Sequence, residues 1–244
     1  MAIEGQYNSR IDKVDRAKPK LSNSRYVHLK SLNRLINHVI DKYIKTGTKV
    51  VLADFGCGEL PYHHILSPYC QEYLAIDIPG NPKANRIVDL DTNKCNIDEA
   101  SCDIVWSIQV LEHVSDYNKY LLEAHRMLKN EGHIIASTHG QWKYHPDPID
   151  YWRWTSAGLK KTFENNGFEI VEFKGSLSFL TTTIHLWQDA VLLSFPFAKV
   201  WKTPFCIFAQ MIMVCTERFS KWSKTLDAHR NLDSDVYFVI ARKK

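Results

Sequence analysis

At 244 residues the chain has room for one large α/β domain with an elaboration, and its length alone does not demand two domains. A formal net charge of +4 and a pI near 8.6 fall well short of the clustered basic stripe that nucleic-acid binding requires, so nucleic acid is not expected as a partner. The six cysteines, at 57, 70, 95, 102, 206 and 215, form no C-x-x-C pair, and the polar stretch from Met1 to Lys20 has no apolar leader core; reduced thiols and a cytoplasmic location are the expectation.

In chain order, a polar N-terminal segment over 1–24 is expected to fray or to cap a groove. Leu32, Leu35, Ile36, Val39, Ile40, Tyr43 and Ile44 then recur at helical spacing up to Gly47, which predicts a helix packed beneath a sheet. Strands are predicted over 49–54, 73–77, 86–89, 103–107 and 133–138. Between the last two, Tyr117, Tyr120, Leu121, Ala124 and Leu128 mark an amphipathic helix. Thr155 can cap a helix that carries Leu159 and Phe163 and stops at Gly167; strands over 168–174 and 236–241 complete the series. Strand and helix in alternation predict an α/β, Rossmann-like mixed sheet with helices on both faces, and one domain over 1–244.

The most informative stretch is Val50-Val51-Leu52-Ala53-Asp54-Phe55-Gly56-Cys57-Gly58, followed by a second strand that ends at Asp77. An apolar strand entering a G-x-G turn, then a strand-end carboxylate, suits a nucleoside: the glycines admit the ligand to the backbone and the acid takes the ribose hydroxyls. A dinucleotide loop would carry a third glycine for the pyrophosphate. Here Gly58-Glu59-Leu60-Pro61 follows, and Glu59 would repel a phosphate. An adenosine cofactor without phosphate, S-adenosylmethionine, fits better.

With Asp54-Phe55-Gly56-Cys57-Gly58 as first motif, the chain resembles the class I S-adenosylmethionine-dependent methyltransferases. The likeness continues through Arg86-Ile87-Val88-Asp89-Leu90, through Asp103 to Val114, similar to the small-molecule branch, and through Leu128 to Ser137, over residues 50 to 175 in all. The resemblance implies a seven-stranded sheet and cofactor contacts from Asp54, Gly56, Cys57, Gly58, Asp77, Ile78, Asp89, Leu90, Gln109 and Val110, with Asp89 near the adenine amino group. It also implies that the last two strands form a hairpin. Residues 175–235 separate them here, and their aromatic content predicts a helical cap, since a structureless loop of that length would be exceptional. His145-Pro146-Asp147-Pro148-Ile149-Asp150-Tyr151-Trp152-Arg153-Trp154-Thr155 further resembles a segment of methyltransferases from polysaccharide and glycoconjugate pathways, which implies a small-molecule or glycan acceptor.

Transfer to an unactivated alcohol needs a base as well as positioning. The candidates are His113, His139 and His145; His113 is favoured by its place in the loop after the fourth strand, and His145 by Asp147 and Asp150 nearby to orient it. His139, Asp150 and Arg153 are the candidate acceptor contacts; Arg153 reads equally as an acceptor grip or as an ion-pair partner of Asp147 or Asp150. Trp142, Tyr144, Tyr151, Trp152 and Trp154 can stack on a sugar or cement the cap. His63 and His64 are adjacent, so a helix would point them to different faces, and no metal is predicted. The strand-four loop, Ser107-Ile108-Gln109-Val110, lacks the Asn/Asp-Pro-Pro-aromatic motif of enzymes that methylate nucleic-acid amino groups. Asp189, Pro196, Lys199, Lys202 and Pro204 interrupt the most apolar stretch, so no transmembrane segment is expected; peripheral membrane contact, a quinone-like or other lipid acceptor, a homodimer and a noncatalytic cofactor-binding role stay open.

Overall fold

The computed structural model describes residues 18–195 and 199–244; the sequence expectation for residues 1–17 lies outside the described residues. Seven strands, β1 (Val50–Phe55), β2 (Cys70–Asp77), β3 (Arg86–Ile87), β4 (Cys102–Ile108), β5 (Leu128–His139), β6 (Phe168–Gly175) and β7 (Val236–Lys243), form one sheet in the order β3-β2-β1-β4-β5-β7-β6. The first five run parallel, whereas β7 lies antiparallel between β5 and β6.

Alternation along each strand divides the core into two layers. Leu52, Trp106, Ile135 and Phe238 face α1 (Tyr26–Val39), whose Leu32, Leu35, Ile36 and Val39 form the matching stripe. Ala53, Phe55, Val105 and Ile134 face the other way, onto Leu121 and Ala124 of α3 (Tyr117–Met127) and Leu159 and Phe163 of α4 (Ser156–Asn165). A short α2 (His63–Leu66) follows β1. Each fully buried aliphatic side chain contributes about 1.5–3 kcal/mol, so both layers are needed to hold the sheet. Asp116 and Thr155 cap α3 and α4 by accepting from Lys119 and Gly158 N–H, each at 3.1 Å.

The stretch between β6 and β7 is helical: α5 (Phe179–Ser194), α6 (Lys199–Trp222) and the short α7 (Lys224–Ala228). The contacts Thr181 to Thr216, Gln188 to Gln210 and Trp187 to Phe205 place α5 and α6 antiparallel. Together they pack on the start of α1, where Val27 meets Ala209, Met213 and Leu177. Buried amides lock the junction. Gln188 and Gln210 both donate to the Ser24 carbonyl at 2.8 Å, and Gln210 accepts from Val27 N–H at 2.9 Å. No helix among the described residues is long and apolar enough to cross a membrane.

Candidate functional site

The strand order reverses between β1 and β4, and the loops leaving their C-terminal ends part there, which is where open α/β sheets place ligands. Gly56 (φ +88°) and Gly58 (φ +49°) make the turn after β1. A Cβ on Gly56 would lie 2.6 Å from both methyls of Val110, so glycine lets the β1 and β4 loops touch; a Cβ on Gly58 would meet nothing within 4 Å and would project into open space. That space is a cradle with backbone for its floor, and it meets the requirement of a ligand that lies against the main chain.

Asp77 closes the cradle from the end of β2. Its Oδ2 accepts from Gly58 N–H at 2.9 Å and from the Asn81 amide at 2.6 Å, and its Oδ1 accepts from Ile78 N–H at 2.8 Å. Asn81 also donates to the Gly58 carbonyl at 2.9 Å, so acid, amide and glycine turn form one unit. Cys57 is buried beneath them, and burial pushes its thiol pKa up, which leaves it an inert wall rather than a nucleophile. Asp89 accepts from Asp91 and Thr92 N–H, which shapes the loop that presents exposed Leu90. Asp54 is buried under the turn and accepts from the Tyr73 hydroxyl; burial raises its pKa to about 7. Gln109 holds a left-handed conformation, φ +59°, fixed by its N–H to the Ser137 carbonyl at 2.9 Å. A non-glycine residue in that region stores strain of the kind that gathers at ligand sites.

Beyond the cradle the loops after β4 and β5 carry the histidines. A single turn, Leu111–His113, sends Glu112 inward and His113 toward the loop after β5. His113 Nδ1 lies 2.7 Å from the Ile149 carbonyl, an acceptor only, so Nδ1 carries a proton and, in the neutral ring, the lone pair lies on Nε2. The His145 ring is 5.8 Å from that of His113 and 5.8 Å from that of His139. Although His145 reaches solvent, desolvation by the surrounding protein lowers its pKa, and the His113 ring adds to the effect.

His139 is buried and stacks on Trp142 at 4.8 Å. Its Nδ1 lies 3.4 Å from Glu112 Oε1, and neither atom makes a hydrogen bond among the described residues. Burial pushes Glu112 up to about 7 and drives His139 well below its ordinary value, so both tend to neutrality. Thr138 donates to the other Glu112 oxygen at 2.8 Å.

Arg153 is a clamp. Its Nε donates to the Trp142 carbonyl at 2.9 Å, Nη1 to Asp150 at 2.6 Å and the Trp152 carbonyl at 2.8 Å, and Nη2 to Asp150 and the Lys143 carbonyl. All five guanidinium donors are spent within the loop, so of the two sequence readings the structure displays the ion pair with Asp150. Burial alone would raise the Asp150 pKa; the Arg153 hydrogen bonds and the His145 N–H, at 2.7 Å, outweigh it and hold the carboxyl low. Asp150 thus orients the His145 backbone rather than its ring. Trp152 and Trp154 each pack edge-on against Tyr117 at 5.1 Å, whereas Tyr144 is exposed.

Sequence reasoning missed Glu112, His28 and His185. His28 Nδ1 bonds Asp235 at 2.7 Å; its ring lies 4.7 Å and that of His185 4.9 Å from Trp142. Only Glu112 carried a local signal, its place beside His113.

Residues 53–136 match the family model described as a methyltransferase domain. A curated relative, ribosomal RNA-processing protein 8 from Arabidopsis thaliana, is 23% identical over 150 residues, which cover 57% of this chain and 49% of that protein; the chain spans about half the length of this relative. Among solved structures, the S-adenosylmethionine-dependent methyltransferase from Mesorhizobium loti superposes with a TM-score of 0.52 at 15% identity over 87% of this chain and 98% of that one. The [4+2]-cyclase SpnF gives a TM-score of 0.54 at 17% identity, over 86% and 80% of the two chains. Phosphoethanolamine N-methyltransferase 2 from Haemonchus contortus, in complex with S-adenosyl-L-methionine, gives 0.51 at 14% identity, over 96% of this chain and 58% of that one. The fold is the one these solved structures share, and residues 53–136 match a methyltransferase domain.

Proposed function

We propose that this chain is an S-adenosylmethionine-dependent methyltransferase that delivers the methyl group to an oxygen of a small-molecule acceptor, a sugar hydroxyl being the acceptor that suits the site best. The observation that carries the reading is the tautomer of His113: with Nδ1–H tied to the Ile149 carbonyl, Nε2 is a fixed base at the ligand-binding end of β4. Gly56, Cys57, Gly58, Asp77 and Ile78 would hold the nucleoside end of the cofactor, with Asp89, Leu90, Gln109 and Val110 around its base and Asp54 below. Bound S-adenosylmethionine supplies a methyl on a positively charged sulfur, and transfer makes a carbon–oxygen bond while the sulfur–carbon electron pair stays on sulfur. His113 Nε2 accepts the hydroxyl proton, and the exposed ring of His145 stands beside it as the route to solvent. The Glu112–His139 pair sets the floor beneath Trp142, which would wall the acceptor region.

The test is turnover with methyl-labelled S-adenosylmethionine and nucleotide-sugar, glycan and lipid acceptors. His113→Ala should lower kcat by about 10²- to 10⁴-fold, the usual contribution of a general base, while cofactor affinity holds. Near-parental turnover in His113→Ala, His145→Ala and the double variant overturns the histidine base. Cofactor binding with no labelled product from any acceptor class favours the noncatalytic alternative.

A further inference from the structure

A second cavity opens on the far side of Trp142. It lies between α5, α6 and the segment that enters α1, and its volume of about 890 Å³ is within the range of about 300–1,000 Å³ typical of small-molecule sites. One part of its lining is cationic: Arg25, Lys143 and Lys202, against the single carboxylate of Asp189. Apart from Ser24 the rest is apolar, with Leu192, Leu193, Trp201, Phe205 and Phe208 among it. Of these, Leu193 is 68%, Trp201 67% and Phe208 58% exposed, an apolar rim that the described residues leave uncovered.

Two of the three cations are not consumed by the fold. Arg25 is engaged, with its guanidinium 4.8 Å over the Trp142 ring and Nη1 2.8 Å from Asp189. Lys143 and Lys202 form no ion pair among the described residues. Burial lowers the pKa of Lys143, Asp189 opposes that, and the positive charges of Arg25 and Lys202 lower it further. An anion placed among the three would relieve this repulsion. The order in space is then an apolar wall, a cationic collar, Trp142, and the histidines, since Trp142 touches Arg25 on one side of the network and stacks on His139 on the other.

We propose that this cleft binds a phosphate-headed lipid, with the hydrocarbon along Trp201, Phe205 and Phe208 and the phosphate between Arg25, Lys143 and Lys202. Any group carried beyond the phosphate is directed past Trp142 toward His145 and His113. The inference deepens the methyl-transfer reading and rests on it for the link to the reacting end: the acceptor hydroxyl belongs to the polar end of an anionic amphiphile. The charge complementarity decides the class. A neutral lipid would leave the cationic collar unpaired, and a free sugar phosphate would leave the apolar wall uncovered.

The full chain is titrated, without cofactor, with decyl phosphate below its micelle concentration, and tryptophan fluorescence or calorimetry reads binding. Decyl glucoside, with the same tail and no charge, and inorganic phosphate are the comparison probes. Decyl phosphate should bind at least ten-fold more tightly than either. Lys143→Ala combined with Lys202→Ala should weaken it ten-fold or more, Trp201→Ser combined with Phe208→Ser likewise, and all variants should bind S-adenosylhomocysteine as the parent does. Equal binding of decyl phosphate and decyl glucoside, or parental binding by both double variants, overturns the proposal. So does sedimentation with phosphatidylglycerol vesicles in the absence of decyl phosphate binding, which would make the rim a membrane contact, or self-association abolished by Trp201→Ser, which would make it a subunit interface. Neither cofactor nor turnover enters the titration, so a failed cleft and a failed histidine base are separately visible.

Discussion

Gly56 and Gly58 stand two residues apart in one turn, yet substituting alanine at each should fail in a different way. At Gly56 the backbone has φ +88°, beyond the left-handed well that L-residues can visit, and the new methyl would sit 2.6 Å from both methyls of Val110. The conformation costs about 1–2 kcal/mol and the overlap about 1–3 kcal/mol, because Val110 is itself held in the loop after β4. Together they remove ~2–5 kcal/mol from a domain of this size, which lowers Tm by roughly 4–20 °C at about 2–4 °C per kcal/mol. At Gly58 the backbone, φ +49°, lies at the edge of the left-handed well and the methyl meets no protein atom. The loss there is about 1 kcal/mol, but the methyl enters the cradle where the cofactor would lie. Thermal unfolding followed by circular dichroism, with calorimetric titration of S-adenosylhomocysteine on each folded variant, separates the two. Gly58→Ala should unfold within about 4 °C of the parent and bind at least ten-fold more weakly. A Gly56→Ala variant as stable as the parent would refute the steric argument. Parental affinity in Gly58→Ala would refute the cradle.

Asp77→Ala removes the acceptor for Gly58, Ile78 and Asn81 at once, and should weaken S-adenosylhomocysteine by about 1–3 kcal/mol, roughly ten- to a hundred-fold, in calorimetry. Glu112→Gln tests the buried carboxyl. Its folded pKa, about 7, is above the ordinary 4.5, so its favourable neutral form is retained below pH 4.5 and stability falls as pH rises from there through about 7; the variant should show a shallower decline of Tm between pH 5 and 8, and superimposable curves would contradict this. Asp54, raised by burial in the same direction, keeps part of the slope in both proteins. Arg153→Lys loses the planar fork that joins Asp150 to the Trp142, Lys143 and Trp152 carbonyls, and should cost about 1–3 kcal/mol of stability and lower kcat with cofactor affinity unchanged; an unchanged kcat would show that the loop needs no clamp.

How far the sequence disclosed this site depended on whether a constraint was local. The glycine turn after β1 was legible because the backbone there leaves room only for glycine at Gly56, and because the acid that binds the turn ends the next strand. The helix α1 was legible from Leu32 onward, where its stripe faces the sheet, but not from Tyr26, because Val27 packs instead on Ala209 and Met213 of the cap. β5 begins at Leu128 rather than at 133; its first residues include Glu131 at φ +64°, which broke the alternation that marks a strand. In Leu111-Glu112-His113 the periodicity could not say which of two polar neighbours turns inward, and a single helical turn decides it. His28 and His185 are separated by most of the chain and meet at Trp142 only because the cap folds back on α1, a relation without a sequence period.

That meeting gives the site its electrostatic character. Transfer from a sulfonium requires a base that is neutral before reaction and surroundings that do not repel a cation. Imidazole in water would be partly protonated near its ordinary pKa, 6.5. Here His139 and His185 are driven well below that by burial, with neighbouring positive groups adding to the effect, and His145 is lowered in the same sense. Glu112, its pKa raised to about 7, gives up most of the negative charge that would otherwise favour protonated histidine at acidic pH. In the proposed reaction the buried histidines would add no positive charge of their own, because burial disfavours their protonated forms. Arg153 is paired with Asp150 beside His145, whereas Arg25, Lys143 and Lys202 line the cleft beyond Trp142, where the proposed anionic acceptor group would be held.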